Sequence, residues 1–434
     1  NRFDTAYGAG FGDFDFCLRA RQTGARVVWS PHAALMHESG RTLKAAMRDT
    51  QTADRLQQRF DEGRREFLAR WRKQIAAEPL YNPNLSLASR NVVVESHPAL
   101  ARDPIDWHPL PSVFALPADD AGSGHYRVGQ PARAAHARTA ARTRVAVSYP
   151  MPLLFDRLGI DTLHTQRQVD DAQLTALEHL RSGAAPRIVM DFDDLLTEIP
   201  KHSHHAAQVW PDIERRMRRA CELSDCITVS TAALAERLRA WHDDVRVIPN
   251  GIDPALWQPT HEPGTRHGKL RVGWAGGLSH AGDLALIRKV VETLADEVEW
   301  VFLGMCLQDM QPHLTEFHHG VPFGEYPDKL AALGLDLAIA PLEANAFNEC
   351  KSNLRLLEYG ALGTPVIASD QLPYRCGLPV QRVDNRPHSW IAAIRERIGE
   401  RQTLAADGAR LREAVLADWT VDRFLPDWLD AWRG

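Results

Sequence analysis

Three polar residues, Lys351, Ser352 and Asn353, stand where a loop enters a helix that we predict over residues 351–363. Free backbone N–H groups, including that of Leu354, and the positive end of the helix dipole would be exposed at this point. Lys351 adds a full positive charge. The segment therefore predicts an anion site suited to a diphosphate.

Glu358 lies two turns along the same predicted helix. Its carboxylate could accept hydrogen bonds from ribose hydroxyls, as acidic residues do in dinucleotide sites. The alternative is that Lys351 and Glu358 are ordinary charged residues on a solvated helix.

A second segment places Gly276 and Gly277 after an apolar run, with a helix predicted to begin near Asp283. Glycines at a strand–helix turn let the backbone approach a ligand closely. His280 in the same loop could donate a hydrogen bond to a phosphate, or it could be a surface histidine.

Three acids, Asp191, Asp193 and Asp194, follow a predicted buried strand. Asp191 and Asp193 could hold Mg²⁺, as in an Asp-x-Asp phosphohydrolase, but Leu195 stands where that family has Thr or Val. The favoured interpretation is that these acids line a cleft, contact an acceptor or cap the next helix.

Gly124, Tyr126 and Arg127 follow a Gly/Ser-rich loop and precede an Ala/Arg-rich helix predicted over residues 132–144. Arg127 could meet a phosphate or an acidic acceptor. A simple turn before a helix explains the segment equally well.

Apolar runs separated by helix-length segments predict the elements that position these residues. The predicted strands cover residues 144–148, 187–190, 226–230, 245–249, 271–275, 299–303, 335–340 and 365–368. Runs that are apolar on both faces are typical of buried parallel strands, so we expect two doubly wound α/β units with ligands at the carboxyl ends of the strands.

The predicted domains follow from changes in composition and in the pattern of apolar residues along the chain. Residues 1–95 form one domain, with a charged helix over residues 42–72, and residues 96–120 are a proline-rich linker. Two Rossmann-like domains occupy residues 121–262 and 263–434.

Residues 122–432 resemble a family 4-type glycosyltransferase of the GT-B fold. The segments that carry the resemblance are residues 124–128, 189–195, 247–253, 273–280 and 351–369. The resemblance implies transfer of a sugar from a nucleotide-sugar donor, with retention and without an essential metal. The C-terminal domain would hold the donor, the N-terminal domain the acceptor, and the last helix would pack back onto the N-terminal domain.

The resemblance also assigns roles. The donor-binding candidates are Gly276, Gly277, His280, Ser352, Asn353, Leu354 and Glu358, and the acceptor-side candidates are Gly124, Tyr126, Arg127 and Asp193. The family has two glutamates separated by seven residues, but counting back from Glu358 reaches Cys350, one residue after Glu349. Either a local shift brings Glu349 into place as a catalytic residue, or the Lys351 end of the segment acts instead.

Residues 1–90 resemble the C-terminal end of a family 2-type glycosyltransferase of the GT-A fold, through residues 10–19, 27–39 and 81–86. The resemblance implies that Asp13 is a general base near an acceptor and that His37 approaches a metal. The metal-binding Asp-x-Asp half would lie upstream. We therefore expect a mostly helical GT-A remnant and a tandem transferase.

Composition and charge limit the classes of protein to which the chain could belong. The chain has 434 residues, 44% of them apolar and 25% charged, as in folded proteins. A net charge of -5 gives no electrostatic footprint for nucleic acid or an anionic membrane. The six cysteines form no C-x-x-C pair, which favours reduced thiols in the cytoplasm. No apolar run reaches the roughly 18–20 residues of a membrane span.

We therefore expect a cytoplasmic glycosyltransferase, at most peripherally attached to the inner face of the membrane. Its donor would be a UDP-, GDP- or dTDP-sugar and its acceptor a glycan or lipid-linked molecule, in bacterial surface polysaccharide or lipopolysaccharide synthesis. The GT-B part would need no cofactor, whereas an upstream GT-A part could bind a divalent metal. The alternatives are a non-catalytic GT-B-like scaffold for an upstream transferase and the Mg²⁺-dependent phosphohydrolase.

Overall fold

The computed structural model describes residues 3–4, 7, 10–34, 50–88, 91–103, 109–183 and 186–434. The chain divides into two compact units. The first unit comprises Asn1–Trp107, Pro150–Ile160 and Thr175–Pro186, and the second comprises His108–Tyr149, Asp161–Leu174 and Arg187–Gly434.

The described part of the first unit is mostly helical. Helix α1 (Gly12–Gln22) contacts α2 (Thr50–Ala76), the helix that the sequence predicts over residues 42–72, of which residues 42–49 lie outside the described part. The buried Asp15 carboxylate joins them by accepting hydrogen bonds from Arg19 Nε at 2.7 Å and Trp71 Nε1 at 2.9 Å. No described helix, including the 27-residue α2, is apolar enough to cross a membrane.

The second unit contains two six-stranded sheets. The first comprises β1 (Ser112–Leu116), β2 (Arg142–Val145), β3 (Thr162–Gln166), β4 (Arg187–Phe192), β5 (Cys226–Val229) and β6 (Val245–Val247). The second comprises β7 (Arg271–Gly276), β8 (Glu299–Gly304), β9 (Glu316–His319), β10 (Leu337–Ala340), β11 (Val366–Ser369) and β12 (Gln381–Val383).

Helices connect most of these strands. After α2 they are α3 (Gly122–Gly124), α4 (Gln130–Ala137), α5 (Pro152–Leu158), α6 (Asp171–Gly183), α7 (Ile213–Glu222), α8 (Ala232–Leu238), α9 (Ala281–Leu286), α10 (Arg288–Leu294), α11 (Tyr326–Ala332), α12 (Ala346–Glu349), α13 (Leu354–Ala361), α14 (Pro387–Gly399), α15 (Leu404–Asp418) and α16 (Val421–Arg433). A π-helical turn, His125–Gly129, joins α3 to α4.

Both sheets are parallel throughout. Their strand orders are β2-β1-β3-β4-β5-β6 and β12-β11-β10-β7-β8-β9. The strand order reverses between β1 and β3 in the first sheet and between β10 and β7 in the second. At each of these points a crevice opens at the carboxyl ends of the strands. The prediction of two doubly wound α/β units is confirmed.

The structure corrects several predicted elements. The predicted linker over residues 96–120 contains β1, which is buried along its whole length and pairs with both β2 and β3. Prolines flank this short apolar run, which is why the sequence pattern predicted a linker and not a strand. Strands β3, β9 and β12 were missed because polar residues interrupt them, and the predicted helix over residues 132–144 ends at Ala137.

Tertiary packing explains the polar strand β3. The fully buried His164 ring lies 4.9 Å from the Trp428 ring and 5.7 Å from the Trp432 ring, both in α16. Thr162 donates to the carbonyl of Trp432 at 2.7 Å. The last helix thus packs on the first sheet and gives its polar residues a buried environment.

Gly251 sits where the chain that enters α16 crosses the segment after β6. Ile252 N–H donates to Trp419 O at 2.7 Å, and Val421 N–H donates to Ile252 O at 2.9 Å. A Cβ on Gly251 would lie 2.6 Å from the Val421 nitrogen and 2.7 Å from the Thr420 carbonyl carbon. Only glycine fits this backbone crossing.

Gly251→Ala should therefore lower stability by roughly 1–3 kcal/mol, the usual penalty of forcing extra atoms into a packed site. Gly399→Ala is the matched control, since a Cβ at Gly399 meets nothing within 4 Å. Urea denaturation of both variants measures the difference. Equal urea midpoints for the two variants would contradict the close backbone contact at Gly251.

Candidate functional site

Helix α13 begins between β10 and β11, at the carboxyl edge of the second sheet. Leu356 N–H makes the first helical hydrogen bond, to Asn353 O at 2.8 Å, so the N–H groups of Leu354 and Arg355 precede the helical ladder. Asn353 is only 5% exposed, and its Nδ2 has no acceptor among the described residues. Buried donors without partners are rare, so this helix start is equipped to receive an acceptor.

Residues of the first Rossmann-like half hold this helix start. Asn250 Nδ2 donates to the Ser352 hydroxyl oxygen at 2.9 Å, which leaves the Ser352 O–H free to donate elsewhere. Lys351 Nζ lies 3.4 Å from an Asp194 carboxylate oxygen and 4.5 Å from the Phe347 ring centroid. The structure thus brings together Lys351, Ser352 and Asn353, which the sequence singled out.

Gly276, the last residue of β7, and Gly277, the residue after it, form a turn that lies against α13. A Cβ on Gly276 would be 2.6 Å from the Trp274 ring and 2.7 Å from Arg355 Nη1, whereas one on Gly277 would meet nothing within 4 Å. Gly276 is therefore required for close packing, and Gly277 borders open space.

His280 uses both ring nitrogens within the protein. Nδ1 lies 2.7 Å from Asp283 Oδ2, and Nε2 lies 3.1 Å from Arg355 Nη2. Because a guanidinium can only donate, Nε2 accepts and the proton resides on Nδ1. Burial, together with the charge of Arg355, lowers the pKa of His280 to about 4, so the ring is neutral. The sequence left His280 either as a phosphate donor or as a surface histidine, and in the structure its Nε2 accepts a hydrogen bond from Arg355.

Glu358 is enclosed rather than open. Its carboxylate accepts hydrogen bonds from Tyr126 at 3.1 Å and Tyr326 at 3.3 Å, and the residue is 8% exposed. Burial raises the pKa of Glu358 to about 7, while Arg355 and the two hydroxyls oppose this rise. His125 covers the cluster by stacking on Phe323 with ring centroids 3.8 Å apart.

Arg127, expected on the acceptor side, lies in the core. Its guanidinium is 1% exposed and donates to Asp191 at 2.8 Å and to the Ile248 carbonyl at 2.6 Å. These contacts leave no opening toward a ligand. Gly124, beside it in sequence, donates its N–H to Asp119 Oδ1 at 3.0 Å, and a Cβ there would collide with the Asp119 carbonyl.

The two acids of the phosphohydrolase alternative have separate arginine partners. Asp191 is paired with Arg127 and accepts from Thr228 at 2.7 Å, whereas Asp193 lies 3.1 Å from Arg167. Burial and the nearby acids raise the pKa of Asp193 to about 6 despite Arg167. Within the described ranges no cluster of three or more His, Cys, Asp or Glu side chains could hold a metal ion.

Cys350 and Glu349, the two residues that the resemblance left open for the first glutamate, differ in burial. Cys350 is 1% exposed, and burial raises the pKa of its thiol to about 11. Glu349 is exposed at the end of α12. In the first unit Asp13 is exposed in the first turn of α1, and His37 lies outside the described residues.

Arg355 was missed by the sequence analysis. Its guanidinium lies 5.2 Å from the Trp274 ring centroid, and Nη1 is buried without an acceptor among the described residues. The available signal was that a residue four positions after Lys351 falls on the same face of the helix predicted over residues 351–363, although α13 itself begins at Leu354.

Solved structures share this architecture. A glycosyltransferase from Rickettsia africae is 11% identical, covers 75% of this chain and 98% of its own length, and has a TM-score of 0.54. Anabaena Alr3699/HepE, in complex with UDP and glucose, is 13% identical, covers 74% of this chain and 98% of its own, with a TM-score of 0.54. The chain has the GT-B fold.

A further structure with this fold is an alpha-glucosyltransferase in complex with UDP-glucose and DNA containing an abasic site. It is 11% identical, covers 74% of this chain and 99% of its own, and has a TM-score of 0.54. In sequence, 86 residues are 34% identical to the uncharacterised protein y4gI of Sinorhizobium fredii, which amounts to 20% of this chain and 9% of that protein's length. No protein-family model matches the chain.

Glu358→Gln tests the enclosed carboxyl. Because its pKa of about 7 lies above the ordinary 4.5, the folded chain binds this proton more tightly than the unfolded chain. Its contribution to folding is complete below about pH 4.5 and is lost as the pH rises through 7. The free energy of unfolding of the variant, relative to wild type, should therefore increase by about 2 kcal/mol from pH 5 to pH 8.

Urea denaturation at pH 5 and pH 8 measures this change. Glu413→Gln, an exposed position on α15, is the control and should show no such pH dependence. A difference between the Glu358 variant and wild type that stays constant with pH would contradict the enclosed carboxyl.

Proposed function

We propose that this protein is a glycosyltransferase that binds a nucleotide-sugar donor at the start of α13. The observation that carries the proposal is the buried Asn353 Nδ2, which has no acceptor among the described residues and lies next to Lys351 and Ser352 at a helix N-terminus. A diphosphate supplies acceptors for the Asn353 amide nitrogen and for the first N–H groups of α13, and its negative charge is favourable at the helix N-terminus. The GT-B neighbours that were solved with UDP or UDP-glucose support the choice of ligand.

The chemistry follows from where negative charge develops. In transfer of a hexosyl group, the bond from the sugar to the diphosphate breaks and negative charge builds on the departing oxygen. The helix dipole, the first N–H groups of α13 and Lys351 are held in place before reaction and stabilise that charge without a metal. An oxocarbenium-like transition state and retention of configuration accompany this proposal.

Glu358 is proposed to bind the ribose. In the structure its carboxylate accepts from Tyr126 and Tyr326, so ribose hydroxyls would replace tyrosine hydroxyls. The exchange conserves the number of hydrogen bonds to the carboxylate and favours its charged form.

We propose a glycan or lipid-linked acceptor, in bacterial surface polysaccharide synthesis at the inner face of the membrane. Asp193, on the acceptor side, lies at the end of β4 in the first Rossmann-like half. We assign the family 4-type motifs of residues 247–253 and 351–369 to this activity. Residues 1–95, with Asp13 exposed, are proposed to be the end of a GT-A domain in a tandem transferase.

Thermal unfolding with UDP-, GDP- and dTDP-sugars, without metal, tests the donor site. One nucleotide class should raise the Tm of wild type by several degrees, because a ligand that binds only the folded state stabilises it. Lys351→Ala should lose most of this shift, and Glu358→Ala should reduce it. Lys269→Ala, an exposed lysine before β7, should keep it.

If no nucleotide sugar shifts the wild-type Tm, the donor site is refuted. Cys350 in place of the first glutamate would then favour the scaffold alternative. A shift that requires Mg²⁺ and survives in the Lys351 and Glu358 variants would also contradict the proposal.

A further inference from the structure

Arg355 is a partly buried cation without a carboxylate partner among the described residues. Its Nη1 is buried without an acceptor among the described residues, and no described carboxylate lies within ion-pair distance of its guanidinium. Its recorded contacts are the Trp274 ring and the neutral nitrogen of His280. The charge of Arg355 acts on Glu358, but no ion pair joins the two. A charge that is held partly away from water without a close anion is unfavourable, which points to a ligand that supplies one.

The carboxylates near Arg355 have other hydrogen-bond partners. Glu358 lies three residues along the same helix, but its carboxylate accepts from Tyr126 and Tyr326. Asp283 contacts His280 through Oδ2, and its Oδ1 accepts the backbone N–H of Glu343 at 2.7 Å. The series Asp283–His280–Arg355 therefore orients the guanidinium without neutralising it.

Two unpartnered donors occur together at the start of α13. Arg355 Nη1 faces the end of β7, 2.7 Å from where a Cβ of Gly276 would stand. Asn353 Nδ2, two residues earlier, is the second buried donor without an acceptor. Open space beside Gly277 lies at the same turn.

We propose that Arg355 binds the diphosphate of the donor, and that His280 is the positioning residue that aims its guanidinium. The proposal rests on the proposed function and adds to it a second phosphate-binding cation. A guanidinium presents paired N–H donors that match phosphate oxygens, which a lysine ammonium cannot do. Lys351 then adds a point charge at the same helix start.

Isothermal titration with inorganic pyrophosphate tests the assignment without knowledge of the base. Arg355→Gln and Arg355→Met both remove the charge. Arg355→Met retains an apolar stem over Trp274, so it serves as the second variant if Arg355→Gln does not fold. Both should weaken pyrophosphate binding at least 10-fold. Arg288→Gln, an exposed arginine paired with Asp309, should leave it unchanged.

The role of His280 has a separate readout. His280→Gln retains a side-chain acceptor for Arg355 and should bind pyrophosphate within about twofold of wild type. His280→Leu retains no acceptor and should bind several-fold more weakly. Equal binding by the two variants would refute the positioning role.

Titration with the nucleoside diphosphate and the nucleoside of the base that the donor screen selects separates the outcomes. Arg355→Gln should weaken binding of the diphosphate but not of the nucleoside. Wild-type affinity for pyrophosphate in the folded Arg355 variants overturns this inference and leaves the proposed function intact. Equal loss of nucleoside and diphosphate binding also overturns it, since that pattern reports a structural defect. Failure of wild type to bind any nucleotide sugar refutes the proposed function itself.

Discussion

The buried ion pair between Arg127 and Asp191 is the constraint on which the second unit depends. Arg127 joins the helical turn before α4 to strand β4, and it also donates to the Ile248 carbonyl and to Asn250 Oδ1. Asn250 in turn donates to Ser352. A single guanidinium therefore connects the first sheet to the start of α13. Removing either charged partner would leave the other buried and unpaired.

The contrast between this network and the start of α13 gives the molecule its functional character. Around Arg127 a positive charge meets a carboxylate, one backbone carbonyl oxygen and one amide oxygen. Around Arg355 a positive charge meets an aromatic ring and a neutral histidine. Both guanidinium groups are held by hydrogen bonds, but among the described residues only Arg127 of the two has a carboxylate within ion-pair distance. Preorganised donors that are left without an acceptor are what an anion-binding enzyme site requires.

The local sequence patterns identified much of this arrangement. Apolar runs located most of the parallel strands, and the segment with Lys351 and Ser352 was recognised as a helix start. Gly276 was expected to let the backbone approach a ligand, and in the structure the close neighbours of this position are Trp274 and Arg355. These features depend on residues near one another in sequence. Strand β3 escaped prediction because its polar residues are buried through tertiary contacts, such as that of Thr162 with Trp432 of α16, more than 250 residues later.

The sequence by itself determined the parallel α/β architecture, the helix start that offers free N–H groups, and the glycine turn beside it. Periodicity and backbone freedom are local properties, so they are encoded locally. Only the tertiary structure decided which charged groups are paired. It gave Arg127 a carboxylate, enclosed Glu358 between two tyrosines, and left Arg355 without an anion. The physical reason is that burial and charge pairing depend on distant segments that meet only in the folded chain.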